Sequence, residues 1–541
     1  MTFTRSESLP GTSRSGDVAE PGESLARGAV LGVTTETLPY AEVMSACTFL
    51  ILGDQLSDEV SPWPALPHDT VILLIESDRL TQAPRHRTRT ALYLTAMRAF
   101  ARRVEERGLR VDYRRASTFT AGIAAHRQEF KPERIFMNHP RGRRATNLFR
   151  GLDVELLPDP FYLSDLEEFR EQFATKSAPS MEQFYRSQRR KLGVLMNGGQ
   201  PVGGRWNFDS ENRQPLPRDG GTWPVPWARA LSDEETQVVD SLSDTHPGAN
   251  ALAYWPRTRC DALEQLRDAL ERILPFFGPF EDAASSRNWH LAHSRLSVAL
   301  NLGLLHPREV VDAVVAQFED GNIPLASAEG FLRQVIGWRE WVWVWHHCHH
   351  EDYRASNFLA ANNDLPDTWR MMGPHKMACL NAVLGNLHDF GWNHHIERLM
   401  VLANAATLAG INPLVLNDWM AENFVDGAEW VMEANVIGMG TFADGGRVST
   451  KPYVAGGNYV KKMTDFCRGC RFTPTVRIGE NACPLTNGYW NFLLAHAEDL
   501  RTNHRMAPQL RAAQQRVDRV EIRSQARQHR DVILEKRAER L

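Results

Sequence analysis

Apolar positions along the chain follow two rhythms. Between residues 47 and 137 they come in short runs of strand length: Cys47-Thr-Phe-Leu-Ile-Leu-Gly53, Val71-Ile-Leu-Leu-Ile75 closed by Glu76, Leu109-Arg-Val-Asp-Tyr113 and Arg134-Ile-Phe-Met137. Short apolar runs without strict alternation predict strands buried on both faces. The stretch from Arg89 to Arg107 instead places Leu92, Leu94, Met97, Phe100 and Val104 at helical spacing. Strand and helix in alternation predict a doubly wound α/β domain with a parallel sheet over 46–165. No Gly-x-Gly-x-x-Gly follows the first run, so a Rossmann dinucleotide site has no support there.

Residues 166–250 are rich in Gly, Pro, Asn and Arg, with turn signals at Asn197-Gly-Gly and Pro201-Val-Gly-Gly204, and predict a long interdomain linker. From 251 to 500 the rhythm is helical: Cys260–Ile273, Leu291–Leu305, Pro307–Phe318, Ser327–Trp345, Met377–His388, His394–Ala409 and Pro413–Phe424 each repeat at three to four residues. An all-α domain is expected there, with no repeat of solenoid period. Residues 501–541 carry eleven Lys+Arg against five Asp+Glu and predict a basic amphipathic C-terminal helix. Residues 1–45, a mixture of Ser, Gly, Thr, Pro and Glu, predict a disordered tail.

Composition narrows the function. A chain of 541 residues with 43% hydrophobic and 24% charged residues is of the soluble globular kind. Lys+Arg 62 against Asp+Glu 66 gives −4, so contact with a polyanion must be regional. No run approaches the ~20 apolar residues of a membrane span, and no signal segment opens the chain, which predicts a cytoplasmic protein without a membrane partner. Seven cysteines are too few for a disulfide scaffold, so an ordered group among them points to metal or redox chemistry. Fifteen Trp suggest large core area, base stacking or electron traffic beside a flavin.

The ordered group is Cys467-Arg-Gly-Cys470, twelve residues, then Cys483-Pro484. Three thiols so placed suit tetrahedral zinc or an iron–sulfur cluster, with a fourth ligand from Cys379, Cys348 or the His346–His350 run. Trp341, Trp343 and Trp345, ahead of that run, are expected to face inward on one helix.

Several further motifs carry a family resemblance: Leu52-Gly-Asp-Gln-Leu56, Met181-Glu-Gln-Phe-Tyr-Arg186, Gly204-Arg-Trp-Asn-Phe-Asp209, His293-Ser-Arg-Leu-Ser297, Gly337-Trp-Arg-Glu340 and His394-His-Ile-Glu-Arg-Leu-Met400. With the cysteines, they make the chain resemble the iron–sulfur bacterial cryptochromes and photolyases from about 46 to 500. The resemblance implies an α/β antenna domain joined to a helical FAD domain. It implies a four-iron, four-sulfur cluster on Cys379, Cys467, Cys470 and Cys483. It places Ser294, Arg295, Leu296 and Ser297 at the FAD diphosphate with Asn301 nearby, and Trp338, Glu340, Arg398, Asp426 and Asn435 around the flavin. Glu340 and Asp426 can equally be carboxylates paired with Arg for packing.

In the same way His394 and His395 match a pair at a lesion pocket, where a histidine can deliver a proton, with Tyr453 beside it and Asp282 as a further pocket residue. Neighbouring helix positions point about 100° apart, so one histidine is expected to meet substrate. A lumazine antenna is expected near Asp54 and Glu76, at strand ends. Arg141, Arg143 and Arg144 in one loop, and Arg186, Arg189, Arg190 and Lys191 in a linker helix, are the concentrated charge available to grip phosphates. The chain departs from its relatives at Met371 and Met420, where they often carry Trp and Tyr electron carriers beside Trp419, at Met432, where many have a carboxylate, and at Trp392. Trp369 or Trp392 is expected to replace the missing carrier if photoreduction persists. The function implied is a light-driven lyase, acting as a monomer on damaged DNA, that reverses (6-4) photoproducts; the alternative is a blue-light receptor with the same cofactors and no turnover.

Overall fold

The computed structural model describes residues 47–535 apart from 61, 64, 65, 175–179 and 243. The tail expected over 1–45 lies outside the described residues. The apolar runs form a five-stranded parallel sheet of β1 (Cys47–Ile51), β2 (Val71–Ser77), β3 (Arg110–Ala116), β4 (Arg134–Asn138) and β5 (Glu155–Leu157) in the order β3-β2-β1-β4-β5. Every residue of β1 and β2 is buried, as continuous apolar runs require at the centre of a sheet covered on both faces. Register follows from Thr48 beside Val71 and Cys47 beside Arg134. Helix α1 (Arg87–Glu106) buries the predicted Leu92, Leu94, Met97, Phe100 and Val104. Its first turn is capped by His86, whose Nδ1 accepts from the Thr88 N–H at 3.2 Å.

Strand order reverses between β1 and β4, where open α/β sheets bind ligands. Here that crevice is filled by the helical part of the chain. Leu56 N–H donates to the Leu302 carbonyl at 2.8 Å, at the end of α2 (Ser297–Leu302). The Arg141 guanidinium, fully buried, donates to the Asn301 carbonyl at 2.6 Å and lies 4.5 Å from the centre of the Phe161 ring. Gly303 has φ +81, and a Cβ there would stand 2.9 Å from Phe161 and 3.0 Å from Leu56 N, so both its conformation and the close approach need glycine.

The stretch expected as a linker contains three helices, Leu166–Ala174, Met181–Leu192 and Asp233–Asp240. The second starts in a capping box between Ser180 and Gln183 and is anchored by the buried Tyr185, whose hydroxyl donates to Glu329 Oε1 at 2.8 Å. This second helix is the linker helix expected to carry Arg186, Arg189, Arg190 and Lys191; flanking turn residues hide the other two from a composition-based reading. The C-terminal region likewise forms two helices, Ala507–Gln514 and Arg519–Ile533, instead of one. The second packs on Pro484–Ala495 and buries Ile522, His529 and Ile533. Among the described residues no helix is long and apolar enough to cross a membrane.

Three segments at the heart of the helical part have the wider π-helical turn: Arg333–Arg339, Glu397–Ala403 and Glu433–Gly440. Such turns often mark functional sites, because they aim side chains out of the regular i, i+4 rows. Trp338, Arg398 and Asn435 sit one on each.

Candidate functional site

Asp426 is the hub of the site. Its Oδ2 accepts from Ser297 Oγ at 2.7 Å, Arg398 Nη2 at 3.0 Å and Trp392 Nε1 at 3.2 Å, while Oδ1 faces Arg398 Nη1 at 2.9 Å. Its backbone carbonyl accepts from Asn301 Nδ2 at 2.9 Å. Arg398 also donates from Nε to the Asn393 carbonyl at 2.7 Å and lies over the Phe424 ring. Ser297, Asn301, Arg398 and Asp426 are thus brought together. Asn435 is half-buried and donates to the Val431 carbonyl, one turn from the buried Met432. Trp338 belongs to an apolar group with Ile396, Met400, Tyr453 and Tyr459, which joins an expected flavin neighbour to the expected pocket tyrosine.

Two expected contacts take other partners. Arg295, at φ +59, is buried and donates to the Tyr254 and Trp227 carbonyls at 3.1 and 3.4 Å, with Trp289 and Trp255 against its guanidinium. Burial pushes its pKa down to about 10. That side chain faces away from Ser294 and Leu296, which form the turn itself, Ser294 Oγ accepting from the Leu296 N–H at 3.4 Å. Glu340, fully buried, accepts from the Leu163 and Ser164 N–H groups at 2.8 and 3.0 Å and from Arg339 at 2.8 Å. Its oxygens hold the 161–164 corner against the helix, the packing role.

The histidine pair divides as helical geometry requires. His394 is buried, neither ring nitrogen has a hydrogen-bond partner, and its ring stacks on His293 with centroids 4.0 Å apart. Burial, then the neighbouring His293 and His395, hold its pKa well below the usual range. His395 is accessible to solvent yet walled by protein, as a side chain lining a deep cleft must be. This surrounding, with Arg398, pushes it down to about 4. Glu397, held by Asn393 Nδ2 at 3.1 Å and Asn386 Nδ2 at 3.3 Å, lies 3.9 Å from His394 Nε2, and burial raises it to about 8. At neutral pH His395 and Glu397 are therefore mostly uncharged.

Beside this cleft stand residues that the sequence did not single out. Arg213 lies 3.8 Å from Asp282, whose pKa burial raises. Tyr459 lies within electrostatic reach of the same pair. Lys451 is lowered by burial and then by Arg505 and Arg213, so three cations converge there. The clusters expected to grip phosphate are mostly engaged elsewhere. Arg141 braces the two parts of the chain, and the fully buried Arg189 donates to the Val194, Leu195 and Trp206 carbonyls. Arg144, Arg186 and Lys191 face Glu429, Glu182 and Glu168. Arg143 donates to the His349 carbonyl, and Arg190 lies over Trp206.

Cys379, Cys467, Cys470 and Cys483 line one small cavity with Met377, Gly457 and Phe472. Burial raises the Cys379 thiol well above its ordinary value, and Cys483, Cys467 and Cys470 add to the rise. Four thiols around one cavity are a donor set that suits a zinc ion or an iron–sulfur cluster. Cys348 packs apart, in the aromatic core with Trp343 and Trp345.

The His run ends that helix and meets Glu433. His346 Nδ1 and His349 Nε2 stand 2.9 and 3.1 Å from one oxygen of Glu433. The Arg143 N–H points at His346 Nε2, which puts the ring proton of His346 on the nitrogen facing Glu433, while His349 Nδ1 stands between the Arg143 guanidinium at 3.1 Å and the His350 carbonyl at 2.7 Å. Burial would raise Glu433, but the two imidazoles hold its carboxyl well below the usual range.

The antenna expectation is not supported at its two residues. Glu76 is buried and taken by Arg98 at 2.7 and 3.0 Å and by the Tyr113 hydroxyl at 2.5 Å. Asp54 stands at the crevice that α2 fills, within reach of Arg141, and burial raises its pKa. Asp54 is half-buried, but with Glu76 engaged the two carboxylates offer no open pair for a heterocycle. Of the electron carriers, Trp419 lies 6.2 Å from Trp369 between ring centroids, both indole N–H groups lacking a partner. Met371 is 61% exposed and Met420 buried.

Residues 49–255 match the family model described as deoxyribodipyrimidine photo-lyase-related protein. Over 474 residues the chain is 38% identical to a (6-4) photolyase of Agrobacterium fabrum, covering 85% of this chain and 93% of the relative. Among solved structures, its fold is similar to a bacterial class III photolyase from Agrobacterium tumefaciens, with a TM-score of 0.57 at 14% identity over 91% of this chain and 98% of the other. It is also similar to a cryptochrome of Synechocystis, with a TM-score of 0.50 at 12% identity over 74% and 82%.

Proposed function

The chain belongs to the photolyase family, beside the bacterial (6-4) photolyases, and from that premise we propose that it is a light-driven lyase reversing (6-4) photoproducts in DNA. FAD is the cofactor this reading requires; in its reduced, photoexcited form it supplies a one-electron donor. The residues available to hold it are Ser297, Asn301, Arg398 and Asp426. The unpartnered ring nitrogens of the buried His394, 6.5 Å from Trp392 between ring centroids, support a polar group completing the site. The four cysteines would hold a four-iron, four-sulfur cluster that ties the helix opening at Cys379 to the loop closed by Cys483.

The single observation that carries the reading is the division of the histidine pair. His395 faces the cleft while His394, stacked on His293, fixes its neighbour's backbone from behind. In free protein His395 is neutral at pH 7. Phosphates brought into the cleft raise its pKa, since a nearby negative charge favours the imidazolium. His395 would thus take up a proton as DNA binds and hold it at the lesion, where the transfer of a group between pyrimidines needs one. Tyr453, Tyr459, Ile396 and Trp338 offer apolar and aromatic walls to a flipped-out base pair. Arg213, Lys451 and Arg505 offer positive charge for the phosphates.

The test is illumination of purified, fully reduced protein with an oligonucleotide carrying one (6-4) lesion. Light-dependent recovery of the undamaged pyrimidines is expected. With the flavin reduced and DNA bound, absence of recovery would refute repair and favour a receptor without turnover.

A further inference from the structure

The aromatic path used by relatives is interrupted here, since neither Met371 nor Met420 offers a ring. Trp419 does touch an indole, Trp369, but Trp369 has no exposed surface. Among the described residues that branch meets no further ring and ends in the interior. A second branch starts at the hub itself. The Trp392 ring lies under Arg398 at 5.8 Å, and its Nε1 is bound to Asp426. Its centroid stands 5.6 Å from Trp289, edge to face, and Trp289 stands 5.8 Å from Tyr254 in the same manner. Trp289 and Tyr254 are both partly exposed. Phe390, stacked on Trp289 at 4.2 Å, holds the middle ring in place.

Resting on the flavin reading above, we propose that Trp392, Trp289 and Tyr254 form the electron path by which this protein reduces its flavin. Trp392 gives one electron to the photoexcited oxidised flavin, Trp289 restores Trp392, and Tyr254 restores Trp289. Oxidised Tyr254 releases its phenolic proton to water, which its exposure permits and which keeps the electron from returning. A thiol reductant in solution then returns an electron and a proton to the tyrosyl oxygen, and two such thiols end as a disulfide. The guanidinium groups make electron loss harder at both indoles, Arg398 beside Trp392 and Arg295 at 5.3 Å from Trp289. The vacancy is therefore driven outward to the phenol.

The experiment compares Trp289→Phe, Tyr254→Phe and Trp369→Phe with the native protein. Bound flavin is measured first, then photoreduction with a thiol donor, then the radical trapped by freezing under light and identified by electron paramagnetic resonance. Trp289→Phe is expected to keep its flavin and to slow photoreduction by about tenfold or more. Tyr254→Phe is expected to lose a tyrosyl signal that the native protein shows, and Trp369→Phe to behave as native. Flavin retained with photoreduction unchanged in Trp289→Phe overturns the path. So does a tyrosyl signal that survives Tyr254→Phe, or a slowing found in Trp369→Phe alone. Native protein that binds no flavin overturns the flavin reading, and the path with it.

Discussion

Replacing Asp426 with Asn changes one oxygen for an amide and removes the only negative charge seated on Arg398 at hydrogen-bond distance among the described residues. Both partners are largely buried, with side-chain exposures of 7% and 14%. Removing one partner of such a pair costs ~3–5 kcal/mol, because the remaining charge is left in a poor solvent. If the described chain unfolds as one unit of roughly 490 residues, its entropy of unfolding is about 1 kcal/mol per kelvin, so the loss appears as a fall of about 3–5 °C in Tm. Glu397 offers partial rescue. Protonated in the native protein at neutral pH, with its pKa at about 8, it is already within reach of Arg398 and would ionise to replace the lost charge. The gap between variant and native protein is therefore expected to narrow at pH 9, where the native protein carries an ionised Glu397 without a matching cation. Differential scanning calorimetry at pH 7 and pH 9, with flavin content measured on the same samples, reads both effects. An Asn variant that melts within a degree of native at pH 7 and keeps all its flavin would refute the hub assignment.

Cys467→Ser is expected to yield protein without iron and with weakened folding, because binding of a cluster across a remote thiol and a compact loop is itself folding energy; full iron content in that variant, or a native protein loaded with zinc alone, would count against the cage. Acid should weaken the fold early: His86 and His290 are fully buried and held down to about 4 and about 3, mainly by burial. Each binds a proton in the unfolded chain below its ordinary pKa of about 6.5 but not in the folded one, so stability should fall from about pH 6.5 downward, by up to about 1.4 kcal/mol per pH unit for each group. A denaturation midpoint flat between pH 7 and pH 5 would contradict this. Changing Lys451 and Arg213 together to Ala should weaken binding of lesion DNA and reduce its salt dependence by about two phosphates' worth, whereas Arg190→Ala should do neither; a fluorescence-anisotropy titration across salt concentrations separates them.

What the sequence made legible, and what it hid, follows from the range of the forces involved. β1 and β2 could be read because burial on both faces writes a continuous apolar run, and the cysteine group because three of its thiols lie within one short segment. β5 escaped because three residues, Glu155-Leu-Leu157, carry no period of their own and pair only because β4 is already there. Of the helices over 166–240, the one that carries Arg186 to Lys191 was legible, and the other two escaped because the turn-rich sequence around them dominates any window of composition. Charge was the least legible quantity. Arg141, Arg189 and Arg295 sit in segments that resemble phosphate-binding patches, yet each is buried and turned toward backbone carbonyls.

The converse holds for the cations that do face the cleft. Arg213, Lys451 and Arg505 are scattered through the linker, the helical part and the C-terminal region, so no spacing along the chain announces them. The Asp426 hub shows the same division at finer scale. Asp426 and Arg398 could be named from motifs, but the partner that changes the chemistry, Trp392, lies six residues before Arg398 and meets it only because the intervening turn brings its indole onto Asp426. In that arrangement the carboxylate that fixes the guanidinium also fixes the first ring of a path to the surface. A substitution at Asp426 would therefore disturb charge balance and electron supply together, while one at Trp289 would disturb supply alone.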